Sequence, residues 1–283
     1  MRSSRLASSP FAKATSSSSS SVARTSAPAR RSFRIGRLLV ATVAATFALT
    51  TGEVRADEPL TPNKSPYRFR FGLDAPIIGL GLAGSTAAFI ERTPPSCLPS
   101  SCEPPAGMNP IDRSALGYHS TAAHTAADVV VAALVLAPHL ANLAVTRGKD
   151  SAWLEDATIS LESIIVTQAI TQVTKAAVDR YAPIVYDERV PLEERTSKDA
   201  LGSFWSGHTA TAFSAATSFA VSYWLRHPND PWRWVVLATL ESAALSVGFL
   251  KIRAGYHYPT DIFAGALAGA SVGLLMPLLH RTF

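Results

Sequence analysis

The sequence contains few charged residues and very few cysteines. Lys, Arg, Asp and Glu together make up 17% of the 283 residues, against roughly 25% in typical soluble domains. This shortage, together with 47% apolar residues, argues against a disordered chain and favours a membrane-embedded or helix-rich protein. The two cysteines, Cys97 and Cys102, are too few for a scaffold held by several disulfides or for a four-cysteine zinc site.

The positive net charge arises from the N-terminal segment. The whole chain carries a formal charge of +5, but residues 1–55 contain nine Lys or Arg and one acid, which leaves 17 bases and 20 acids elsewhere. Most of the chain is therefore slightly acidic, and we expect no nucleic-acid partner. No protein partner is predicted either.

The N-terminal segment is typical of a targeting sequence. Residues 1–37 are rich in Ser, Arg and Ala, a composition that buries too little apolar surface to fold. The apolar run at residues 38–50 has the length of a signal-peptide core and is short for a helix that spans a bilayer. Residues 1–56 are therefore predicted to be a disordered basic leader with a signal peptide, cleaved before Asp57, or with an uncleaved signal anchor.

Cys97 and Cys102 lie in a loop rich in Pro and Ser. In an exported segment we expect them to form a disulfide, whereas in the cytoplasm they would be free thiols. We assign residues 57–126 to an N-terminal segment that contains this loop and one apolar stretch. Residues 127–283 are predicted to form a separate helical domain.

Apolar stretches alternate with short polar loops after residue 74. They cover residues 75–90, 129–145, 157–178, 209–225, 234–250 and 262–279. Their lengths are close to the ~20 residues that cross a bilayer as a helix, and they are rich in the small residues that let membrane helices pack closely. The sequence predicts an all-α fold, a transmembrane bundle of five or six spans. A soluble all-helical protein with buried helices is the alternative.

Two carboxylates, Glu162 and Glu241, lie within these apolar stretches. In lipid such residues must face the interior of the bundle and find partners. Because Ser160 and Ser242 are nearby, hydrogen bonds between helices are the role that we expect.

Polar clusters stand at the ends of the apolar stretches, at residues 175–183, 203–209 and 251–261. The first two clusters are joined by a loop, and two helices separate the second from the third. If every stretch from the third onward spans the membrane, all three clusters meet at one face.

The residue types in these clusters suit the binding and transfer of a phosphate. Ser206, Gly207 and His208 begin a helix, where unpaired N–H groups and the helix dipole favour an anion. Cations that can neutralise phosphate oxygens are Lys175, Arg180, Lys251 and Arg253. His257 and Asp261 are four residues apart, a spacing that lets a carboxylate orient an imidazole for nucleophilic attack.

This arrangement resembles the type 2 phosphatidic acid phosphatase (PAP2) superfamily, whose site is shared with vanadium-dependent haloperoxidases. The family motifs K-x6-R-P, P-S-G-H and S-R-x5-H-x3-D are matched at Lys175, Pro183, Ser206, Gly207, His208, His257 and Asp261. The resemblance covers roughly residues 129–279, and it makes residues 127–283 a PAP2-like catalytic domain. It implies that His257 forms a phosphohistidine, oriented by Asp261, and that His208 protonates the leaving group. Lys175, Ser206 and Gly207 would bind the phosphate.

Each of the three family motifs is altered at one place in this sequence. Ala182 replaces the arginine before Pro183, Trp205 replaces the proline before Ser206, and Leu250-Lys251 replaces the serine-arginine pair. Arg180 and Arg253 each lie two residues from a missing arginine, so we expect them to contribute to phosphate binding.

The resemblance implies a membrane-bound phosphatase that hydrolyses a lipid phosphomonoester or diphosphate. The leader favours a bacterial inner-membrane location with the site facing the periplasm, in contact with membrane lipids. The alternatives are a soluble exported acid phosphatase of the same superfamily, a haloperoxidase, and a PAP2-like protein that binds phosphate or lipid without turnover. No cofactor and no metal are expected, since side chains supply the cations and the trio His119, His124 and Asp128 offers too few convergent ligands.

Overall fold

The computed structural model describes residues 65–68, 71–90, 93–98, 100–147 and 151–282. The predicted leader, residues 1–56, and the first part of the predicted segment 57–126 lie outside the described residues. The division of the chain at residue 127 stays a prediction.

The described part of the chain is helical. The long helices are α1 (Phe71–Ile90), α3 (Thr121–Thr146), α4 (Ala152–Val178), α6 (Gly207–Arg226), α7 (Trp232–Arg253) and α8 (Pro259–Leu279). Short helices α2 (Pro110–Arg113) and α5 (Leu192–Arg195) and a 3-10 turn, Pro183–Tyr186, lie between them. Tyr67 and Arg281 form an isolated β-bridge, and the described residues contain no strand. The predicted all-α fold class is confirmed for the described residues.

Helix α3 begins eight residues before the predicted apolar stretch. Ser120 caps its N terminus and accepts a hydrogen bond from the Ala123 N–H at 3.2 Å, so the alanine-rich residues that follow enter the helix. This early start places His124 and Asp128 in the first two turns of α3.

Helices α6 and α8 run parallel and in very close contact. Gly265, Gly269 and Gly273 share one face of α8 because they are four residues apart. A Cβ at Gly269 would lie 2.1 Å from the backbone oxygen of Ala210 in α6, so a larger side chain would force the helices apart. The first turns of the two helices are also joined to each other, because the Ser206 N–H donates to the Asp261 carbonyl at 3.1 Å.

The outer faces of α3, α7 and α8 carry large exposed apolar side chains. Phe263 is 74% exposed and Phe249 is 63% exposed. Soluble monomers rarely expose many large apolar side chains together. Within the described residues, three segments are long and apolar enough to cross a membrane, judged by length and composition: Thr121–Val145, Trp232–Arg253 and Pro259–Leu279. The predicted number of spans, five or six, stays a prediction.

Helices α4 and α6 form the more polar interior of the bundle. Their side chains pair across the interface, with Ser160 and Ser218 hydroxyls 2.8 Å apart and Thr167 donating to Ser214 at 3.0 Å. These buried hydroxyls lower the hydropathy of both helices while satisfying one another.

Candidate active site

The three polar clusters meet at one end of the bundle. Lys175 lies in the last turn of α4, Lys251 in the last turn of α7 and Asp261 in the first turn of α8. Ser206 is the N-cap of α6, and α3 brings its first turns to the same end. The arrangement results from alternating helix directions, because α4 and α7 end where α6 and α8 begin.

His257 lies in the tight loop between α7 and α8. The loop needs a glycine at Gly255, whose φ is +82° and whose Cβ would lie 2.1 Å from the Tyr118 carbonyl oxygen. His257 is 3% exposed, and its Nδ1 lies 2.9 Å from the Ser203 carbonyl oxygen. A carbonyl can only accept, so Nδ1 carries the proton and the neutral ring keeps a lone pair on Nε2. Burial lowers the pKa of the His257 imidazole and favours this neutral form.

Asp261 holds the backbone around His257 more directly than it holds the imidazole. Its Oδ2 lies 3.7 Å from His257 Nδ1, too far for a hydrogen bond. The same oxygen accepts a short hydrogen bond from the Ser203 hydroxyl and another from the Tyr258 N–H at 2.9 Å. Asp261 therefore holds the two backbone segments that flank the His257 ring. The ring itself is oriented by the Ser203 carbonyl, whereas the sequence analysis expected Asp261 to orient it.

Arg180 joins three separate parts of the chain. Its Nη1 donates to Asp261 at 2.6 Å and to Thr260 at 2.9 Å, and its Nη2 donates to Asp112 at 2.7 Å. Burial disfavours the charged guanidinium, but the two carboxylates outweigh this effect and raise the pKa of Arg180. The sequence analysis predicted that Arg180 binds phosphate. In the structure, Arg180 instead pairs with the carboxylates of Asp112 and Asp261, next to the loop that carries His257.

Asp112 is a site residue that the sequence analysis missed. It lies in α2, is 1% exposed, and accepts from the Thr260 N–H at 3.1 Å as well as from Arg180. Burial opposes its ionisation, but the hydrogen bonds from Arg180 and Thr260 hold the pKa of Asp112 below its usual value. No family motif includes the segment around α2, so the sequence carried no signal for it.

Lys251 and His208 converge on one carboxylate, Asp128 of α3. The Lys251 ammonium donates to Asp128 Oδ1 at 2.8 Å, and His208 Nε2 lies 3.1 Å from the same oxygen. His124 Nδ1 is 3.4 Å from the Lys251 ammonium. The ammonium of Lys251, predicted to bind phosphate, is thus already paired with a carboxylate.

The sequence analysis treated Asp128 only as a poor candidate for a metal ligand, together with His119 and His124. The structure separates that trio, because His119 pairs with Glu194 at 2.9 Å. Asp128 stands one position before the predicted apolar stretch, where it was not recognised as part of the site.

Lys175, Ser206 and Gly207 lie at the junction of α4 and α6. The Lys175 ammonium makes a short hydrogen bond to the Gly202 carbonyl and is 7% exposed. Ser206 caps α6 by accepting from the Thr209 N–H at 3.3 Å, and Gly207 is the first helical residue. These residues place an ammonium beside a helix N terminus, a combination that favours an anion.

A carboxylate of the connecting loop, Asp199, faces the cations of the site. Burial opposes its ionisation, but electrostatic attraction to His208, Lys175, His257 and Lys251 holds the pKa of Asp199 below its usual value. An internal anion therefore lies within the field of the groups predicted to bind phosphate.

Two departures from the family motifs, Ala182 and Trp205, have structural counterparts. Ala182 is fully buried in an apolar cluster with Ile184 and Val185, where an arginine has no room. The Trp205 indole donates to Thr171 in α4 at 2.7 Å. Arg253, predicted to bind phosphate, is exposed and stacks on the Tyr118 ring at 4.3 Å, so the structure gives it a different partner.

Cys97 and Cys102 form a disulfide in the structure. Cys102 packs in the same apolar cluster as Ala182, and Arg195 links the loop to the site region by donating to the carbonyls of Ser100 and Val185. The disulfide loop therefore covers the end of the bundle that holds the polar clusters.

Residues 156–283 match the PAP2 superfamily. This match agrees with the resemblance that the motifs indicated, and the matched residues contain all three polar clusters.

Two named relatives are similar to part of the chain. A stretch of 81 residues is 37% identical to lipid A 1-phosphatase from Porphyromonas gingivalis, covering 29% of this chain and 17% of that protein. A stretch of 74 residues is 39% identical to bacitracin transport permease protein BcrC from Bacillus licheniformis, covering 26% of this chain and 32% of that protein. The chain thus spans less than two thirds of either relative. No solved structure matches it.

Proposed function

We propose that this protein is a membrane-bound phosphatase that hydrolyses a lipid phosphomonoester or diphosphate through a phosphohistidine on His257. The observation that carries the proposal is the hydrogen bond from His257 Nδ1 to the Ser203 carbonyl at 2.9 Å. This bond fixes the tautomer and leaves the Nε2 lone pair available for attack on phosphorus.

In the proposed reaction, His257 Nε2 forms a bond to phosphorus while the bond from phosphorus to the lipid oxygen breaks. His208 gives a proton to the departing oxygen. Burial and the nearby Lys251 ammonium lower the pKa of His208 to about 4, an effect that its contact with Asp128 at 3.1 Å opposes. His208 then takes a proton from the water that cleaves the phosphohistidine, which restores both histidines. Lys175 and the N terminus of α6 stabilise the phosphoryl charge.

The likeness to a lipid A 1-phosphatase and the apolar outer faces of α7 and α8 support a lipid phosphate as substrate. We place the site at the periplasmic face of a bacterial inner membrane. The Cys97–Cys102 disulfide at the site end of the bundle supports this orientation, because disulfides persist in oxidising compartments.

A second candidate function is phosphate or lipid binding without turnover. It is favoured by the pairing of Arg180 with two carboxylates and of Lys251 with Asp128, which leaves less positive charge for a transition state. In other enzymes, removing one group that stabilises the charge of the transition state lowers kcat by about 10²–10³-fold.

The test is phosphate release from a panel of lipid phosphates by purified protein in detergent, with vanadate as inhibitor. We expect wild type to release phosphate in the presence of a chelator and vanadate to inhibit it. The His257→Gln variant should release at least 10³-fold less while remaining folded. Binding of inorganic phosphate with no release from any lipid would support the second candidate.

A further inference from the structure

A second cluster of ionisable side chains lies at the opposite end of the bundle. Asp74 belongs to α1, Glu162 to α4, and His280 directly follows α8, and one ligand atom from each lies within 4.8 Å of the others. Because α8 has 21 residues and rises about 1.5 Å per residue, His280 stands roughly 30 Å from the start of α8 at the active site. The cluster is therefore separate from the phosphatase site.

Glu162 is a buried carboxylate without a hydrogen bond, and His280 lies against one of its oxygens. Glu162 is 0% exposed, and neither of its carboxylate oxygens has a hydrogen-bond partner. The sequence predicted hydrogen bonds for both intramembrane glutamates, and Glu241 does accept one from Thr217 at 2.7 Å. A buried carboxylate without hydrogen bonds is unfavourable unless a cation neutralises it.

His280 is oriented as metal-binding histidines are. Its Nδ1 lies 2.9 Å from the Met276 carbonyl oxygen and must donate, which makes Nε2 the ring nitrogen that would bind a metal. That Nε2 is 3.2 Å from Glu162 Oε2 and 3.4 Å from Asp74 Oδ1. Histidine ligands commonly donate their second ring nitrogen to a backbone carbonyl in this way, which fixes the tautomer and the ring.

The two spacings from His280 suit a small tetrahedral ion. Nitrogen and oxygen ligands bind Zn²⁺ at about 2.0–2.1 Å, so neighbouring corners of the tetrahedron lie roughly 3.3–3.4 Å apart. The two distances from His280 Nε2 are close to this value. Two carboxylates also balance the charge of a divalent cation while the imidazole stays neutral.

The backbone around the cluster is held in place from both ends of the described chain. The Arg68 N–H donates to the His280 carbonyl at 2.7 Å, and the Thr282 N–H donates to the Pro66 carbonyl at 2.8 Å. These bonds join the segment before α1 to the segment after α8 and hold the backbone next to His280 in place.

We propose that Asp74, Glu162 and His280 bind one divalent metal ion, with Zn²⁺ the best match, and that the ion joins α1 to the end of α8. A water molecule would supply the fourth ligand. The site is structural and takes no part in the phosphohistidine chemistry.

The experiment measures metal content in the full-length protein, purified in detergent from zinc-supplemented cells and passed over a chelating resin. We expect about one zinc per chain in wild type by plasma mass spectrometry. The Glu162→Gln variant should retain at least tenfold less. Glu241→Gln, which alters the other glutamate of the apolar stretches, should retain the wild-type amount.

A second readout keeps the test decisive if Glu162→Gln does not fold. Wild type stripped by prolonged chelation should melt at a lower temperature than the loaded protein, and added Zn²⁺ should restore the melting temperature. Wild type without metal and without a zinc-dependent shift would overturn the proposal, leaving only the direct contacts of His280 with the two carboxylates. Zinc retained by Glu162→Gln would overturn it as well. Neither readout uses phosphatase activity, so failure here leaves the proposed function untouched.

Discussion

At the scale of single residues, the contacts of His257 and Asp261 were only partly predictable. The spacing of the two residues predicted a histidine nucleophile with a carboxylate partner, because that spacing is a property of the chain. The hydrogen bond from His257 to the Ser203 carbonyl depends on how two distant loops pack, and no residue pattern records the position of a backbone oxygen. The same holds for Asp112 and Asp128, whose partners lie far away in sequence.

Asp199 should compete with the substrate for the cations of the site. The Asp199→Asn variant removes the negative charge that faces Lys175, His208, His257 and Lys251, so a phosphate should bind more tightly. We expect KM to fall about fivefold, the equivalent of ~1 kcal/mol, in steady-state assays of phosphate release. Glu188→Gln changes an exposed carboxylate of the same loop and should leave KM unchanged. An unchanged or higher KM in Asp199→Asn would show that this carboxylate does not oppose substrate.

Arg180 should act through the fold, whereas Arg253 should be dispensable. Arg180→Met leaves the buried carboxylates of Asp112 and Asp261 without their cation, which should destabilise the protein by about 3 kcal/mol. Arg253→Met removes only an exposed guanidinium stacked on Tyr118 and should change both stability and activity little. Thermal unfolding in detergent and phosphate release check both variants. A higher KM with an unchanged melting temperature in Arg180→Met would restore its predicted role as a phosphate ligand.

At the scale of helices, the apolar stretches predicted which segments are helical but not which helices form the interior. Hydropathy does not distinguish a helix that faces lipid from one whose hydroxyls pair inside a bundle, as those of Ser160 and Ser218 do. The start of α3 was misplaced because its first turns are alanine-rich and carry His124 and Asp128. The small residues of α6 and α8 did indicate close packing, and the structure shows where it occurs.

The contact between α6 and α8 should tolerate no side chain at Gly269. Gly269→Ala places a Cβ about 2 Å from the Ala210 carbonyl oxygen, and the helices must separate to relieve the clash. We expect a loss of roughly 1–3 kcal/mol in stability, measured by thermal unfolding in detergent, with reduced activity because both helices begin at the site. Gly84→Ala, at a position with open space around it, should have almost no effect. Equal melting temperatures for the two variants would contradict the packing described for α6 and α8.

At the scale of the whole molecule, the polar clusters and the end of α8 lie at opposite ends of the bundle. Helix α8 runs from the active-site end, at Pro259, to Leu279. If the site faces the periplasm, the end of α8 must face the cytoplasm. A green fluorescent protein fused to the C terminus should therefore fluoresce, and alkaline phosphatase fused there should be inactive. The reverse pattern would place the site in the cytoplasm and remove the support drawn from the disulfide.

The central claim, a phosphoryl group carried on His257, can be tested by trapping it. Wild type mixed with a lipid phosphate labelled with ³²P and quenched in alkali within milliseconds should hold protein-bound label that is stable in alkali and lost in acid. Peptide mapping should place the label on His257, and the His257→Gln variant should hold none. Rapid turnover by wild type with no trapped label, or label found on another residue, would contradict the mechanism.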